Sequence, residues 1–212
     1  MTEPAFLRDT RSSYDAVAVE YADETRDIMA TKTFDRAMLA AFTERITGGP
    51  VADLGCGPGR VTAHLHGLGV DAFGVDLSPG MVDVARQTYP DLRFEVGSML
   101  ALDLPDGGLA GIVAWYSIIH VPADLLPALF AEFLRVLVPG GAVLLVFQVG
   151  DETVHVSQAF GHDVALDAYR RKPELVADLL ERSGFAMDAR LVREPAGPEK
   201  TQQAYLIAHK PV

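Results

Sequence analysis

Ten residues constrain this chain more than any others: Val51-Ala52-Asp53-Leu54-Gly55-Cys56-Gly57-Pro58-Gly59-Arg60. A short apolar run enters a turn containing three glycines, and a stretch of helical character, 58–67, leaves it. Glycine adopts positive φ without steric cost and lets a ligand approach the backbone without meeting a Cβ. The helix behind such a turn offers free N–H groups and the positive end of its dipole. Asp76 ends the next apolar run, twenty-one residues after Gly55. An acidic side chain at that spacing can accept hydrogen bonds from both hydroxyls of a ribose. A glycine turn alone is a weak signal. Paired with Asp76 in a strand–turn–helix context, it points to a site for an adenosine-containing cofactor. The dinucleotide pattern Gly-x-Gly-x-x-Gly is not met, because the spacing here is Gly-x-Gly-x-Gly and Arg60 stands in place of the third glycine.

The rest of the chain repeats the same alternation. Apolar runs at 51–54, 72–75, 92–96, 112–116 and 142–146 are separated by helical patterns at 58–67, 79–87 and 124–138. That order predicts a doubly wound, mostly parallel α/β sheet with helices on both faces. Two more strands, 187–192 and 204–209, follow a helix at 173–182 that Gly184 would cap, and their short connection predicts an antiparallel pair at the sheet edge. Ahead of the first strand, helical spacing joins Tyr14, Val17, Ala18, Tyr21 and Ile28 over 11–28. A second helix over 33–46 would bury Phe34, Met38, Ala41 and Phe42 and end at Gly48-Gly49-Pro50. Residues 150–172 break the alternation, and Val164 and Leu166 within them suggest a half-exposed strand. Such insertions tend to be lids. The chain therefore divides as one domain, 1–212, with an N-terminal helical cap over 1–32 and a lid over 150–172.

Composition narrows the function. Eighteen basic and twenty-nine acidic residues give a net charge of −11, which disfavours a nucleic acid held by its phosphates. One cysteine, Cys56, excludes an internal disulfide framework and a cysteine-based zinc cluster. His64 and His66 lie two apart on a helix and face different ways, so no metal site is expected. The N-terminal residues lack a basic-then-apolar leader pattern, and no apolar stretch approaches the roughly 20 residues of a membrane helix. A cytoplasmic protein without membrane contact is the expectation.

Four segments resemble the motifs of the class I S-adenosylmethionine-dependent methyltransferases. They are Asp53-Leu54-Gly55-Cys56-Gly57-Pro58-Gly59, Gly74-Val75-Asp76-Leu77-Ser78-Pro79-Gly80-Met81, Gly97-Ser98-Met99, and Arg135-Val136-Leu137-Val138-Pro139-Gly140-Gly141. The resemblance runs from about residue 34 to 147 and continues more loosely to the end. It implies a seven-stranded Rossmann-like sheet in the order 3-2-1-4-5-7-6, with the last strand antiparallel. It also implies that Gly55, Gly57 and Gly59, with Cys56 inside the turn, lie against the methionyl part of S-adenosylmethionine, supported by Asp53. Asp76 would hold the ribose, Leu77 and Met81 would pack near the adenine, and Ser98 and Met99 would contact its edge. Relatives often carry an acidic residue before strand four; here Leu109-Ala110-Gly111 stands there, so no role carries over.

The implied reaction moves a methyl group to an O, N or C atom of a small-molecule acceptor. The leaving group of a sulfonium is already excellent, so the protein mainly aligns and desolvates the acceptor, and a base is needed only where a proton must leave. Ligands of such sheets bind beyond the carboxyl ends of the strands. His120, in Trp115-Tyr116-Ser117-Ile118-Ile119-His120, falls there and is a candidate base or acceptor-positioning group, or else part of the wall. Tyr116 either lines the cofactor pocket or packs in the core. Tyr14 and Tyr21, seven apart on one helical face, either close the site or pack inside. Lys32 and Arg60 read as solvated charges. His155, His162, Asp163, Asp167, Tyr169 and Arg170 belong to the expected lid over the acceptor. A nicotinamide-dependent oxidoreductase and a non-catalytic S-adenosylmethionine-binding protein are the alternatives.

Overall fold

The computed structural model describes residues 3–212, so residues 1 and 2 of the expected cap lie outside it. In chain order the elements are α1 Ala5–Thr25, α2 Ile28–Thr31, α3 Thr33–Thr43, β1 Val51–Leu54, α4 Arg60–Gly67, β2 Ala72–Asp76, α5 Pro79–Thr88, β3 Phe94–Val96 and β4 Leu109–Trp115. Two short 3-10 turns, Ile118–His120 and Ala123–Leu125, lead into α6 Leu126–Val136. There follow β5 Leu137–Gln148, β6 Thr153–Ala159, β7 His162–Tyr169, α7 Pro173–Ser183, β8 Ala186–Arg193 and β9 Gln203–His209.

Seven strands form one sheet in the order β3-β2-β1-β4-β5-β9-β8. β1 to β5 are parallel, and β9 runs antiparallel to both β5 and β8. The spatial arrangement is the expected one, but the numbering differs. β6 and β7 pair only with each other, so the two edge strands are the eighth and ninth of the chain rather than the sixth and seventh.

The central strands are buried on both faces, which explains their unbroken apolar runs. Successive residues point to opposite faces. In β4, Ile112 and Ala114 join a core with Phe130 and Phe133 of α6 and Leu180 of α7. Val113 and Trp115 join a second core with Leu39 and Phe42 of α3 and Leu65 of α4. Each such fully buried side chain contributes roughly 1.5–3 kcal/mol relative to exposure. Local chemistry sets the ends. Ser78 caps α5, its Oγ accepting from the Met81 N–H at 3.0 Å, with Pro79 in the first turn. Gly184 ends α7 at φ 108°, as expected.

Three expectations need correction. α1 begins at Ala5 rather than near residue 11 and stops at Thr25, leaving Ile28 to open α2. α3 buries Asp35, Met38, Leu39 and Phe42, while Phe34 is 54% exposed. The 150–172 segment is a two-stranded hairpin rather than one half-exposed strand. Its turn residues Phe160 and Gly161 have φ of 52° and 83°. Two positive values in a two-residue turn match the twist of the flanking strands.

Candidate functional site

The site is built where β1 and β2 end. Gly55, Gly57 and Gly59 have φ of 75°, 53° and 84°, values that L side chains resist. Their surroundings differ. A Cβ at Gly55 would meet Cβ of Ser117 at 2.3 Å, and one at Gly59 would meet the Phe94 ring at 2.7 Å. A Cβ at Gly57 would meet no atom of the described residues within 4 Å. Gly57 is thus the glycine whose missing side chain leaves open space, while the other two serve close packing. Gly59 is not among the residues lining the cleft beside the turn; Gly55, Cys56 and Gly57 are.

Asp76 is tied to this turn. Its Oδ2 accepts from the Gly57 N–H at 2.7 Å and its Oδ1 from the Ser78 N–H at 2.8 Å. An ionised carboxylate has about four acceptor sites, so capacity for a ligand is left. Asp53 is fully buried below the turn. Thr62 donates to its Oδ2 at 2.7 Å, and its Oδ1 is buried with no hydrogen-bond partner. Desolvation pushes Asp53 up to about 7, with Thr62 and Arg60 opposing it. Burial raises Asp76 above the usual carboxylate range, opposed by the backbone N–H groups of Ser78 and Gly57. Leu77, Met81, Ser98 and Met99 complete this end of the cleft.

At the other end, β4 delivers Trp115, Tyr116 and Ser117. Ser117 fastens β4 to β1 by donating to the Leu54 carbonyl at 2.6 Å. Tyr116 has φ 52°, a left-handed conformation that a bulky residue adopts only when its surroundings impose it. His120 stands one turn further on. Its Nδ1 lies 2.8 Å from the Asp167 carbonyl oxygen, which can only accept, so Nδ1 carries the proton. Nε2 therefore accepts from the Tyr14 hydroxyl, 2.8 Å away. Burial lowers the His120 pKa and raises that of Tyr14, so the pair holds a neutral imidazole and a protonated phenol.

α1 roofs the cleft with Phe6, Leu7, Thr10, Arg11, Tyr14 and Tyr21. Asp15 docks it on α5 by accepting from Ser78 Oγ at 2.5 Å and the Gly80 N–H at 2.9 Å. The β6–β7 hairpin packs on α1 through Val164 and Leu166 against Val17, and the Ala165 N–H donates to Ser13 Oγ at 2.9 Å. Of the expected lid residues, Arg170 lines the cavity beside the cleft, while His155, His162, Asp163, Asp167 and Tyr169 line neither it nor the cleft. The hairpin backs the roof instead of forming it.

A second cavity of about 490 Å³ adjoins the cleft and shares Tyr14, Tyr21, Arg60, Trp115 and Tyr116 with it. Its far wall holds Lys32, Asp35, Arg170, Glu199 and Lys200. Lys32 is not a solvated lysine, since its Nζ lies 2.5 Å from Glu199. Arg60 is not a plain surface charge either. Its guanidinium lies 5.7 Å from the Tyr21 ring centre and it faces both cavities. Trp115 was invisible as a site residue because an apolar strand residue reads as core. Among the described residues no cluster of three metal-ligating side chains occurs, and no helix is long and apolar enough to cross a membrane.

Residues 51–141 match the model of a family described as a methyltransferase domain. Over 97 residues the chain is 34% identical to malonyl-[acyl-carrier protein] O-methyltransferase of Serratia marcescens, a match covering 46% of this chain and 37% of that enzyme. The chain spans less than half the length of the first curated relatives it matches. Among solved structures, the DhpI–SAH complex is similar with a TM-score of 0.74 and 23% identity over 99% of both chains. The 1,6-didemethyltoxoflavin-N1-methyltransferase of Burkholderia thailandensis is similar with a TM-score of 0.71 and 20% identity, over 100% of this chain and 93% of that one. At these identities the two structures speak for the fold. Residues 51–141 are thus similar to a methyltransferase domain, and the seven-stranded fold agrees with that likeness.

Proposed function

We propose that the protein is an enzyme that uses S-adenosylmethionine to methylate a small-molecule acceptor. The observation that carries this is the pair of carboxylates on adjacent strands, Asp53 and Asp76, lining one cleft on either side of an unobstructed Gly57. The residues fit the cofactor. The buried Oδ1 of Asp53, unpartnered among the described residues, suits the ammonium of the methionyl end, and the open backbone at Gly57 admits it. Asp76 has acceptor capacity for the ribose hydroxyls, and Leu77, Met81, Ser98 and Met99 offer a mostly apolar slot for the adenine. When bound, S-adenosylmethionine supplies a sulfonium methyl group.

The chain's own groups then do what methyl transfer requires. Tyr14, Tyr21, Trp115 and Tyr116 line the junction where the cleft meets the adjoining cavity and keep water from the reacting centre there. His120 acts as a positioning residue: its neutral ring fixes the Tyr14 hydroxyl at the junction. The acceptor enters the adjoining cavity, whose size lies in the range usual for small-molecule sites. A net charge of −11 agrees with a small acceptor rather than a nucleic acid, and the setting that fits this composition is the cytoplasm.

The test is a binding and turnover pair. Calorimetry should show binding of S-adenosylmethionine and S-adenosylhomocysteine and none of NAD. A screen of small acceptors, read by release of S-adenosylhomocysteine, should then find turnover. Binding of NAD in preference would support an oxidoreductase. Binding with no turnover on any acceptor would leave a cofactor-binding protein without catalysis.

A further inference from the structure

We propose, building on the methyl-transfer function above, that the adjoining cavity recognises an acceptor carrying an oxyanion, a carboxylate or phosphoryl group, and that Arg60, Arg170 and Lys200 hold it. The charge balance of the wall is the first observation. Lys32, Arg60, Arg170 and Lys200 line the cavity against only Asp35 and Glu199. Both acids are already engaged. Glu199 receives the two terminal nitrogens of Arg193 at 2.5 and 2.8 Å and Lys32 at 2.5 Å. Asp35 accepts from the Tyr205 hydroxyl at 2.5 Å and lies 3.7 Å from Arg193. Arg170 pairs with Glu152, which stands outside the lining. Adding Arg193 and Glu152 to the lining charges gives five cations against three carboxylates, an excess of two positive charges in a chain whose net charge is −11.

The second observation concerns unmet donors. Among the described residues Arg60 makes no ion pair; its one hydrogen bond there is to Thr25 Oγ1 at 3.3 Å, and its Nε is buried without a partner. The Nε of Arg170 is likewise buried and unpartnered. Guanidinium groups short of partners stabilise carboxylates and phosphates with strong, directional hydrogen bonds. A cationic acceptor is disfavoured by the excess of positive charge on the wall, and one aromatic face that could attract it, Tyr21, already carries Arg60. A neutral acceptor would leave the excess charge uncompensated at a partly desolvated wall.

Trp115 is the only tryptophan and lines both spaces, so its fluorescence reports each ligand. The protein is first saturated with S-adenosylhomocysteine, then titrated with phenylacetate, phenyl phosphate, neutral phenylacetamide and cationic phenethylamine. At least one of the two anions should bind about tenfold more tightly than phenylacetamide, the preference expected of a charge-assisted hydrogen bond. Phenethylamine should bind weakest. The order of phenylacetate and phenyl phosphate separates the two oxyanion types. Arg170→Gln and Lys200→Gln should each erode the anion preference severalfold and leave S-adenosylhomocysteine affinity unchanged. Equal or tighter binding of the amide or the amine overturns the proposal. So does silence of both anions while S-adenosylhomocysteine binds, or a preference that survives the Arg170→Gln/Lys200→Gln double variant. Failure of S-adenosylhomocysteine itself to bind would overturn the methyl-transfer function, and the acceptor proposal with it.

Discussion

Gly57 and Gly59 stand two residues apart and should fail in opposite ways. A Cβ at Gly57 has room in the free protein, so the cost of a valine there is chiefly backbone strain at φ 53°, about 1–2 kcal/mol. It would fill space meant for ligand, and S-adenosylhomocysteine binding should vanish in calorimetry from a protein that still melts cooperatively. Gly59→Ala carries similar strain and also drives a methyl into the Phe94 ring, adding about 1–3 kcal/mol. Its main effect should be a lowered melting temperature. Asp53 yields a pH prediction. Its carboxyl is raised to about 7 in the free protein, so its favourable contribution to stability is full below the ordinary carboxylate pKa and lost as pH rises through 7. A cationic ligand end beside it favours the carboxylate and expels the proton. Affinity for S-adenosylhomocysteine should therefore rise about tenfold from pH 6 to 8, and Asp53→Asn should flatten that profile. Flat wild-type affinity would mean no cation sits beside Asp53. At this scale the motif residues were legible in the sequence because backbone conformation and charge dictate them locally. Arg60 and Lys32 were not, since a basic side chain on a helix end reads as solvated until Tyr21 and Glu199 are brought to it from elsewhere in the chain.

α1 is the element on which the site depends most. It is pinned to α5 by Asp15, to the 118–120 turn by Tyr14, and to β7 by Ser13. A ligand held beneath it should leave faster once these contacts are weakened. Asp15→Ala removes two hydrogen bonds, each worth about 1 kcal/mol. Amides of α1 should then exchange faster with deuterium, and S-adenosylhomocysteine should dissociate faster, with a loss of global stability of no more than about 2 kcal/mol. Unchanged exchange and dissociation would mean α1 is held by packing alone. The β6–β7 hairpin backs α1 rather than covering the acceptor. Replacing 153–169 with a glycine-serine linker should therefore weaken cofactor binding as well as turnover; loss of turnover alone would contradict that. The hairpin was hidden in the sequence because its turn is Phe160-Gly161 and lacks the Asn-Gly or Asp-Gly signature. Its strands also bury little, since β6 is mostly exposed.

Across the whole molecule, the parallel sheet followed from the apolar runs because a parallel strand buried on both faces leaves an unmistakable trace, while the order of its strands came from the resemblance to a known family. The antiparallel edge followed from the short link between β8 and β9. What the sequence left open was every contact between distant segments: α1 on α5, the hairpin on α1, Tyr205 on Asp35. These depend on three-dimensional adjacency that no local spacing encodes. Cofactor binding should act on the fold as a unit. S-adenosylhomocysteine at a hundred times its dissociation constant adds about 2.7 kcal/mol. For a domain of this size that is a rise in melting temperature of roughly 5–10 °C. Asp76 carries the central claim, because it accepts from the Gly57 N–H and, in the proposed site, would hold the ribose hydroxyls with the same carboxylate. The most direct measurement is a calorimetric titration of S-adenosylhomocysteine into the wild-type protein and Asp76→Ala, with circular dichroism as the control for folding. The expected result is one saturable site in the wild type and at least about tenfold weaker binding in the folded variant, consistent with losing charge-assisted hydrogen bonds. Equal affinity in the two proteins, or no binding to either, would contradict the assignment of this cleft.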